Sequence, residues 1–124
     1  MRRFKMTVTT DGSGNAVAYS PRLSGKIHSV QYVKDGGGNA YTNGVDFTIT
    51  AEATGENIWT QSDVNASAVV YPRAPTHSQV GVASLYAAAG TAVQDKVGLG
   101  NDRVKVSLGS GGAAKVGVFH VLVD

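Results

Sequence analysis

Short segments in which apolar and polar residues alternate recur along this chain, and they constrain its fold more than any other sequence feature. In "VDFTITAEA" (45–53), the apolar residues from Val45 to Ala51 point to one side of an extended chain, and the residues between them are polar. The segment "RVKVSLG" (103–109) alternates in the same way. A period of two is typical of a β-strand that buries one face only.

Turn-forming residues separate the alternating segments. The stretches "DGSGN" (11–15), "TGEN" (54–57) and "SGGAA" (110–114) contain the Gly, Asp and Asn residues that favour tight turns. The chain has 16 glycines in 124 residues, which fits short strands and turns better than helices. The pattern predicts about eight strands, and nine segments are candidates for them: 3–10, 16–20, 25–34, 45–53, 58–62, 65–73, 92–99, 103–109 and 115–123.

The predicted strands indicate a single all-β domain over residues 1–124, because a chain of this length can form one hydrophobic core. Many short strands without a long helix are typical of an antiparallel β-sandwich or a jelly-roll-like barrel. The segment "KVGVFHVLV" (115–123) is apolar on both faces, so we expect a central strand there. We expect Phe47 and Trp59 to pack in the core across a hairpin from about 45 to 62.

The predicted strand "GKIHSVQYVK" (25–34) has no cleanly polar face, and we expect it to be covered on both sides. Strict alternation divides it into the faces Ile27-Ser29-Gln31-Val33 and His28-Val30-Tyr32.

The segment "YPRAPTHS" (71–78) introduces a different kind of region. It contains Pro72 and Pro75, two of the three prolines, and it leads into a run without formal charge from Ala74 to Gln94. We call residues 72–94 the arm. Proline keeps a chain extended and reduces the entropy that is lost on docking. We therefore predict that the arm contacts a neighbouring protein through Pro72, Arg73, Pro75, His77, Val80, Val82, Leu85 and Tyr86.

Two alternatives remain open for the arm. It can be a long internal loop that packs over its own barrel. Within it, "GVASLYAAAG" (81–90) can form two helical turns that end at Gly90, or it can run extended across a surface.

Positive residues cluster in the N-terminal tip (1–5). Arg2, Arg3 and Lys5 lie there, although the net charge of the chain is only +2. Such a tip can contact acidic residues of a partner, with free solvent as the alternative, and we assign Arg2 and Arg3 to a protein interface. Binding through phosphate contacts needs a broad basic surface, so we expect no nucleic-acid partner.

No motif in the chain predicts enzyme chemistry. Cysteine is absent, which excludes disulfides and thiolate metal sites. The three histidines His28, His77 and His120 lack the spacing of a metal site. Most carboxylates fall in predicted turns, and there is no GxSxG motif. We predict no catalytic residue, no cofactor and no metal, with a glycosidase-like pair of carboxylates as an open alternative.

The sequence also predicts a soluble protein without a membrane partner. The start "MRRFKMTVTT" has no apolar stretch behind its basic residues, unlike a signal peptide. The uncharged run 74–94 is long enough to span a bilayer, but proline, histidine, serine, glutamine and glycine interrupt it.

Five segments that together cover nearly the whole chain resemble small structural proteins of tailed bacteriophages and prophages. They are "VTTDGSGNAVAYSPRLSGKIHSVQYV", "GVDFTITAEATGENIW", "NASAVVYPRAPTHS", "LYAAAGTAVQDKVGLGNDRVKV" and "GGAAKVGVFHVLVD", in this order. The resemblance implies a capsid decoration (cement) protein that binds and stabilises the head shell. It also implies the major capsid protein or other virion proteins as partners, and a virion location after assembly in the host bacterial cytoplasm. A head-to-tail or tail component is the alternative.

A particle protein makes many weak contacts that symmetry repeats, so we expect a homo-oligomer, with a trimer as one arrangement. The glycine-rich loops 35–44 and 109–114 leave a second function open, a module that binds carbohydrate or a host receptor.

Overall fold

The protein is all-β and its sheets are antiparallel, as the alternation predicts. The computed structural model describes every residue from Met1 to Asp124. It contains no helix that is long and apolar enough to cross a membrane. The eleven strands are β1 (Arg2–Thr9), β2 (Ala16–Tyr19), β3 (Leu23–Lys34), β4 (Asp46–Ala51), β5 (Asn57–Gln61), β6 (Ala68–Val70), β7 (Arg73–Pro75), β8 (Gln94–Lys96), β9 (Gly98–Asp102), β10 (Val104–Gly109) and β11 (Val116–Val123).

The strands form two main sheets and one small sheet. The first sheet has the order β1-β11-β3-β6, and β9 pairs with the first part of β3. The second sheet has the order β2-β10-β4-β5. The small sheet consists of β7 and β8, at the base of the arm.

The structure has more strands than the pattern predicts, for two local reasons. Strand β7 lies inside the arm, where the prolines gave no sign of pairing. The predicted strand 92–99 divides at the buried Val97, because the chain changes partner there: β8 pairs with β7, and β9 pairs with β3. The helical alternative for 81–90 is wrong, since this segment contains only bends, turns and isolated bridges.

Aromatic side chains from both main sheets meet in one core. Phe47 of β4 lies 4.8 Å from Tyr32 of β3 and 5.1 Å from Phe119 of β11, measured between ring centroids. Trp59 of β5 packs edge-on against Phe47 at 5.3 Å, across the hairpin that the sequence predicts. Both residues are buried, so the prediction that they belong to the core is confirmed.

A register shift in β3 changes which of its residues face the core. Ser29 pairs with Leu122, but Ile27 pairs with Val123, so β3 carries one extra residue at this point. A bulge of this kind reverses the alternation beyond it. Ile27 therefore lies on the core side together with Val30 and Tyr32, and Ser29 is buried as well. The predicted division of 25–34 into two strictly alternating faces is wrong at the bulge.

Strand β11 is central, as its two apolar faces predict. It lies between β1 and β3 in the first sheet. One side buries Phe119, Val121 and Val123 in the core. The other side carries four residues that are only partly buried and that no other layer of the chain covers fully: Val116, Val118, His120 and Leu122.

Candidate functional site

The arm is a small three-way junction of backbone hydrogen bonds, which explains why it holds a shape without a core of its own. Strands β7 and β8 form its stem, and the stem continues with a hydrogen bond from the Thr76 N–H to the Val93 carbonyl, at 2.8 Å. Above it, the Ser84 N–H donates to Thr76 at 3.0 Å, and the Val93 N–H donates to Ser84 at 2.9 Å. Thr76, Ser84 and Val93 lie on three different segments of the chain, and each of them is hydrogen-bonded to the other two.

Two tight loops project from this junction. The first loop closes through a hydrogen bond from the Ser78 N–H to the Val82 carbonyl, at 2.8 Å. Its turn needs Gly81, which has a φ of 82° that glycine adopts without strain. The second loop closes through the Tyr86 N–H and the Thr91 carbonyl at 3.0 Å, next to an antiparallel bridge between Leu85 and Ala92.

The apolar side chains that the sequence assigns to an interface are exposed. Val80 is 77% exposed, Val82 63%, Leu85 43% and Tyr86 75%. From the arm, only Ala74 packs against the core. The alternative of a loop that packs over its own barrel therefore does not describe these four side chains.

The remaining arm residues of the predicted interface fall into two groups. Pro75 and His77 are exposed, and they accompany the apolar residues. Pro72 is buried in its own chain, and Arg73 is half-buried, with its guanidinium donating to the carbonyls of Pro72 and His28 at 2.7 and 3.3 Å. Arg73 thus anchors the base of the arm to β3.

The basic tip forms part of strand β1, and its two arginines diverge because successive side chains of a strand point to opposite faces. The Arg2 guanidinium lies over the Phe4 ring at 5.6 Å and donates to the Ser24 carbonyl at 3.3 Å. Arg3 lies on the other face, and its Nη1 reaches across β11 to donate to Gln31 Oε1 at 2.9 Å.

Sequence reasoning missed one surface, the side of the first sheet that faces away from the core. We call this surface the outer face. Its central row pairs Lys5 with His120, His120 with Gln31, and Gln31 with Val69, and Arg3 crosses above it. The signal was present as the second apolar side of 115–123, but alternation alone cannot tell which side is inward. The outer face is defined by Arg3, Lys5, Gln31, Val33, Val69, Val118, His120 and Leu122.

His120 occupies the middle of the outer face and lacks a hydrogen-bond partner for its Nδ1, which is buried. Burial lowers the pKa of the imidazole below its ordinary value, and the positive charges of Arg3 and Lys5 lower it further. Most buried polar atoms in proteins have a partner, so this nitrogen is an exception that calls for an explanation.

The lowered pKa of His120 predicts that acid destabilises the folded chain. The unfolded chain, with a histidine pKa of about 6.5, binds the proton more readily than the folded chain. The free energy of unfolding should therefore fall as the pH drops from above that value through the lower folded pKa. We expect His120→Gln to reduce this slope in urea titrations between neutral and mildly acidic pH. His77→Gln, at an exposed arm position, is the matched control, and an equal change in both variants would contradict the assignment.

Two carboxylates near the start of β10, Glu52 and Asp102, have structural partners. Glu52 forms an ion pair with Arg103, whose hydrogen bond lowers the pKa of Glu52, and the Arg103 guanidinium lies 4.2 Å over the Tyr19 ring. Asp102 is buried and accepts hydrogen bonds from the N–H groups of Ala53 and Arg103, at 3.1 and 2.7 Å. These contacts join β10 to its neighbours.

The glycine-rich loops meet at one end of the fold. The Thr42 N–H donates to the Gly111 carbonyl at 3.1 Å, and the Gly111 N–H donates to the Gly14 carbonyl at 2.9 Å. The structure has no pocket, and no three His, Cys, Asp or Glu side chains lie together in a way that could hold a metal ion.

No family model, curated protein or solved structure matches the chain. The resemblance to virion proteins therefore rests on the sequence segments alone. The surfaces from which a function can be inferred are the arm and the outer face.

Proposed function

We propose that this chain is a non-enzymatic structural protein that assembles through its arm, as a capsid decoration (cement) protein of a tailed bacteriophage. One observation carries the proposal: a hydrogen-bonded arm presents four exposed apolar side chains and no formal charge between Ala74 and Gln94. Clustered exposed apolar side chains are typical of interaction sites.

The backbone hydrogen bonds of the arm favour tight docking. They fix the backbone of the two loops that carry Val80, Val82, Leu85 and Tyr86 before a partner arrives, so less backbone entropy is lost on binding. Complete burial of each such side chain contributes about 1.5–3 kcal/mol. The partner of the arm is a second copy of the chain, because a head-to-tail contact that closes into a ring, such as a trimer, buries the same arm in every copy.

The finer architecture that we propose is a β-sandwich. Its support is the contact of Phe47 from the second sheet with Tyr32 and Phe119 from the first, which places side chains of two sheets in one layer. Such a domain is a rigid base from which an arm can reach a neighbour.

The resemblance of the five sequence segments to phage structural proteins supports two further parts of the proposal. The protein is located in the virion, and its oligomer binds the major capsid protein. The test is the location and copy number of the protein in purified particles. Particles that lack it should lose heat resistance if it stabilises the shell. Equal heat resistance with and without the protein would contradict this role, and a location in the tail would favour the alternative of a tail component.

Self-association in solution is the most direct prediction. We expect sedimentation equilibrium of the intact 12.8 kDa chain to give a mass that rises with concentration towards a small whole-number oligomer. A constant monomer mass over the accessible concentration range would contradict assembly through the arm.

A further inference from the structure

We propose that the outer face of the first sheet docks an acidic protein segment, one that carries carboxylates beside apolar side chains. This surface is separate from the arm, and the inference does not depend on the arm-mediated assembly.

The outer face is too apolar for a sheet side that meets only water. Antiparallel sheets with one face in solvent normally carry polar residues on that face. Here Val33 is 46% exposed and Val69 51% exposed, and Val118 and Leu122 between β1 and β3 are only partly covered. Burial of these side chains by a partner would remove apolar area from water.

The charge of the outer face is positive without any compensation. The three ion pairs of the chain are Lys26–Asp95, Lys96–Asp124 and Arg103–Glu52, so neither Arg3 nor Lys5 has a carboxylate partner. The four strands that form the face, β1, β11, β3 and β6, contain no aspartate or glutamate. A surface of this kind is complementary to carboxylates.

His120 supplies an independent observation at the centre of the face. Its Nδ1 is buried without a partner, and His120 stands between Lys5 of β1 and Gln31 of β3, with Val69 of β6 beyond Gln31. By contrast, the Nδ1 of His28 on β3 has a partner, the Ser29 Oγ at 3.1 Å. A carboxylate docked beside Arg3 and Lys5 would accept a hydrogen bond from an N–H of the His120 ring, and its negative charge would offset the two cations.

The same composition favours a protein over a nucleic acid. Affinity for a phosphate backbone grows with the number of phosphates that are neutralised, and the outer face offers two unpaired cations. Its valines and leucine instead match the apolar centre of a protein interface, with Arg3 and Lys5 at the rim.

The test uses a designed amphipathic peptide with leucines on one side and glutamates along its flank, titrated into ¹⁵N-labelled protein. We expect the largest amide shifts at Val118, His120 and Leu122. We expect weaker binding for the same peptide with glutamine in place of glutamate, and also for the peptide with serine in place of leucine. Raised salt should weaken the binding of the glutamate peptide and leave the binding of the glutamine peptide nearly unchanged.

Matched variants assign the binding to this face. The double variant Arg3→Gln, Lys5→Gln should bind the glutamate peptide with about tenfold lower affinity. The double variant Arg22→Gln, Lys105→Gln loses the same charge elsewhere and should bind as the native chain does. The titrations are repeated in a chain with Val80→Ser and Tyr86→Ser, so that self-association through the arm does not compete with peptide binding at the outer face.

Three results would overturn the proposal: no binding of the glutamate peptide, equal losses in the two double variants, or shifts centred on the arm. An oligothymidylate control gives a fourth, because tighter binding of the oligonucleotide at Arg3 and Lys5 would assign the face to nucleic acid.

Discussion

A chain in which Val80, Val82, Leu85 and Tyr86 are all replaced by serine is expected to remain monomeric at concentrations where the native protein self-associates. All four side chains are exposed, and none belongs to the core, so their loss removes contacts with a partner rather than contacts within the chain. Burial of each is worth about 1.5–3 kcal/mol, so the combined loss should weaken assembly by at least about a hundredfold.

Sedimentation equilibrium of the native and fourfold-substituted chains measures this effect, and thermal unfolding checks that the fold is kept. Exposed substitutions usually change stability by less than about 0.5 kcal/mol each. Val17→Ser is the matched control, because Val17 is 58% exposed on β2, outside the arm, and its replacement should leave assembly unchanged. Assembly that persists in the fourfold variant would place the interface elsewhere.

The variant Gly117→Ala is expected to lower the free energy of unfolding by about 3 kcal/mol, the upper end of the usual cost of overpacking. A Cβ at Gly117 would stand 2.8 Å from Tyr41 Cζ and 2.9 Å from Tyr32 Cε1. Both rings are buried. Real Cβ atoms do not approach ring carbons this closely, so the rings or the strand would have to shift.

Tyr41 has little freedom to make room. Its hydroxyl donates to the Val8 carbonyl at 2.5 Å, and its ring stacks on Tyr32 with the centroids 6.0 Å apart. Burial raises the pKa of the Tyr41 hydroxyl, which keeps it protonated and able to donate. The contact joins the loop before β4 to the edge strand β1.

Urea unfolding of Gly117→Ala, with Gly36→Ala as control, measures the effect. Gly36 has open space around its Cβ position and does not have a positive φ. Alanine should therefore be neutral there, or it should stabilise the protein by about 0.4–1 kcal/mol because it lowers the conformational entropy of the unfolded chain. A native-like stability of Gly117→Ala would mean that the Tyr41 ring does not lie against this glycine.

Much of the strand content was predictable because alternation is a local property. Segments 45–53 and 103–109 became β4 and β10, with Phe47, Ile49, Val104 and Val106 buried. The apolar character of 115–123 correctly indicated a central strand. In each case a side chain's direction depends only on the pleat of its own strand.

The candidate surfaces were predictable only in part. Pro72 and Pro75 marked the arm, and its exposed valines, leucine and tyrosine were named from their apolar character. The same reasoning grouped Pro72 and Arg73 with them, although both lie against their own chain. Whether a residue faces a neighbour or its own sheet depends on contacts that are distant in sequence.

Local pattern was therefore enough to establish that this chain forms short antiparallel strands joined by glycine-rich turns, with an uncharged arm between them. Three features needed the assembled sheets: the bulge that places Ile27 on the core side with Val30 and Tyr32, the change of partner at Val97, and the gathering of Arg3, Lys5 and His120 on one uncovered face. The physical reason is that strand pairing joins residues that are far apart in the chain. Lys5 and His120 become neighbours only through the register of the first and last strands.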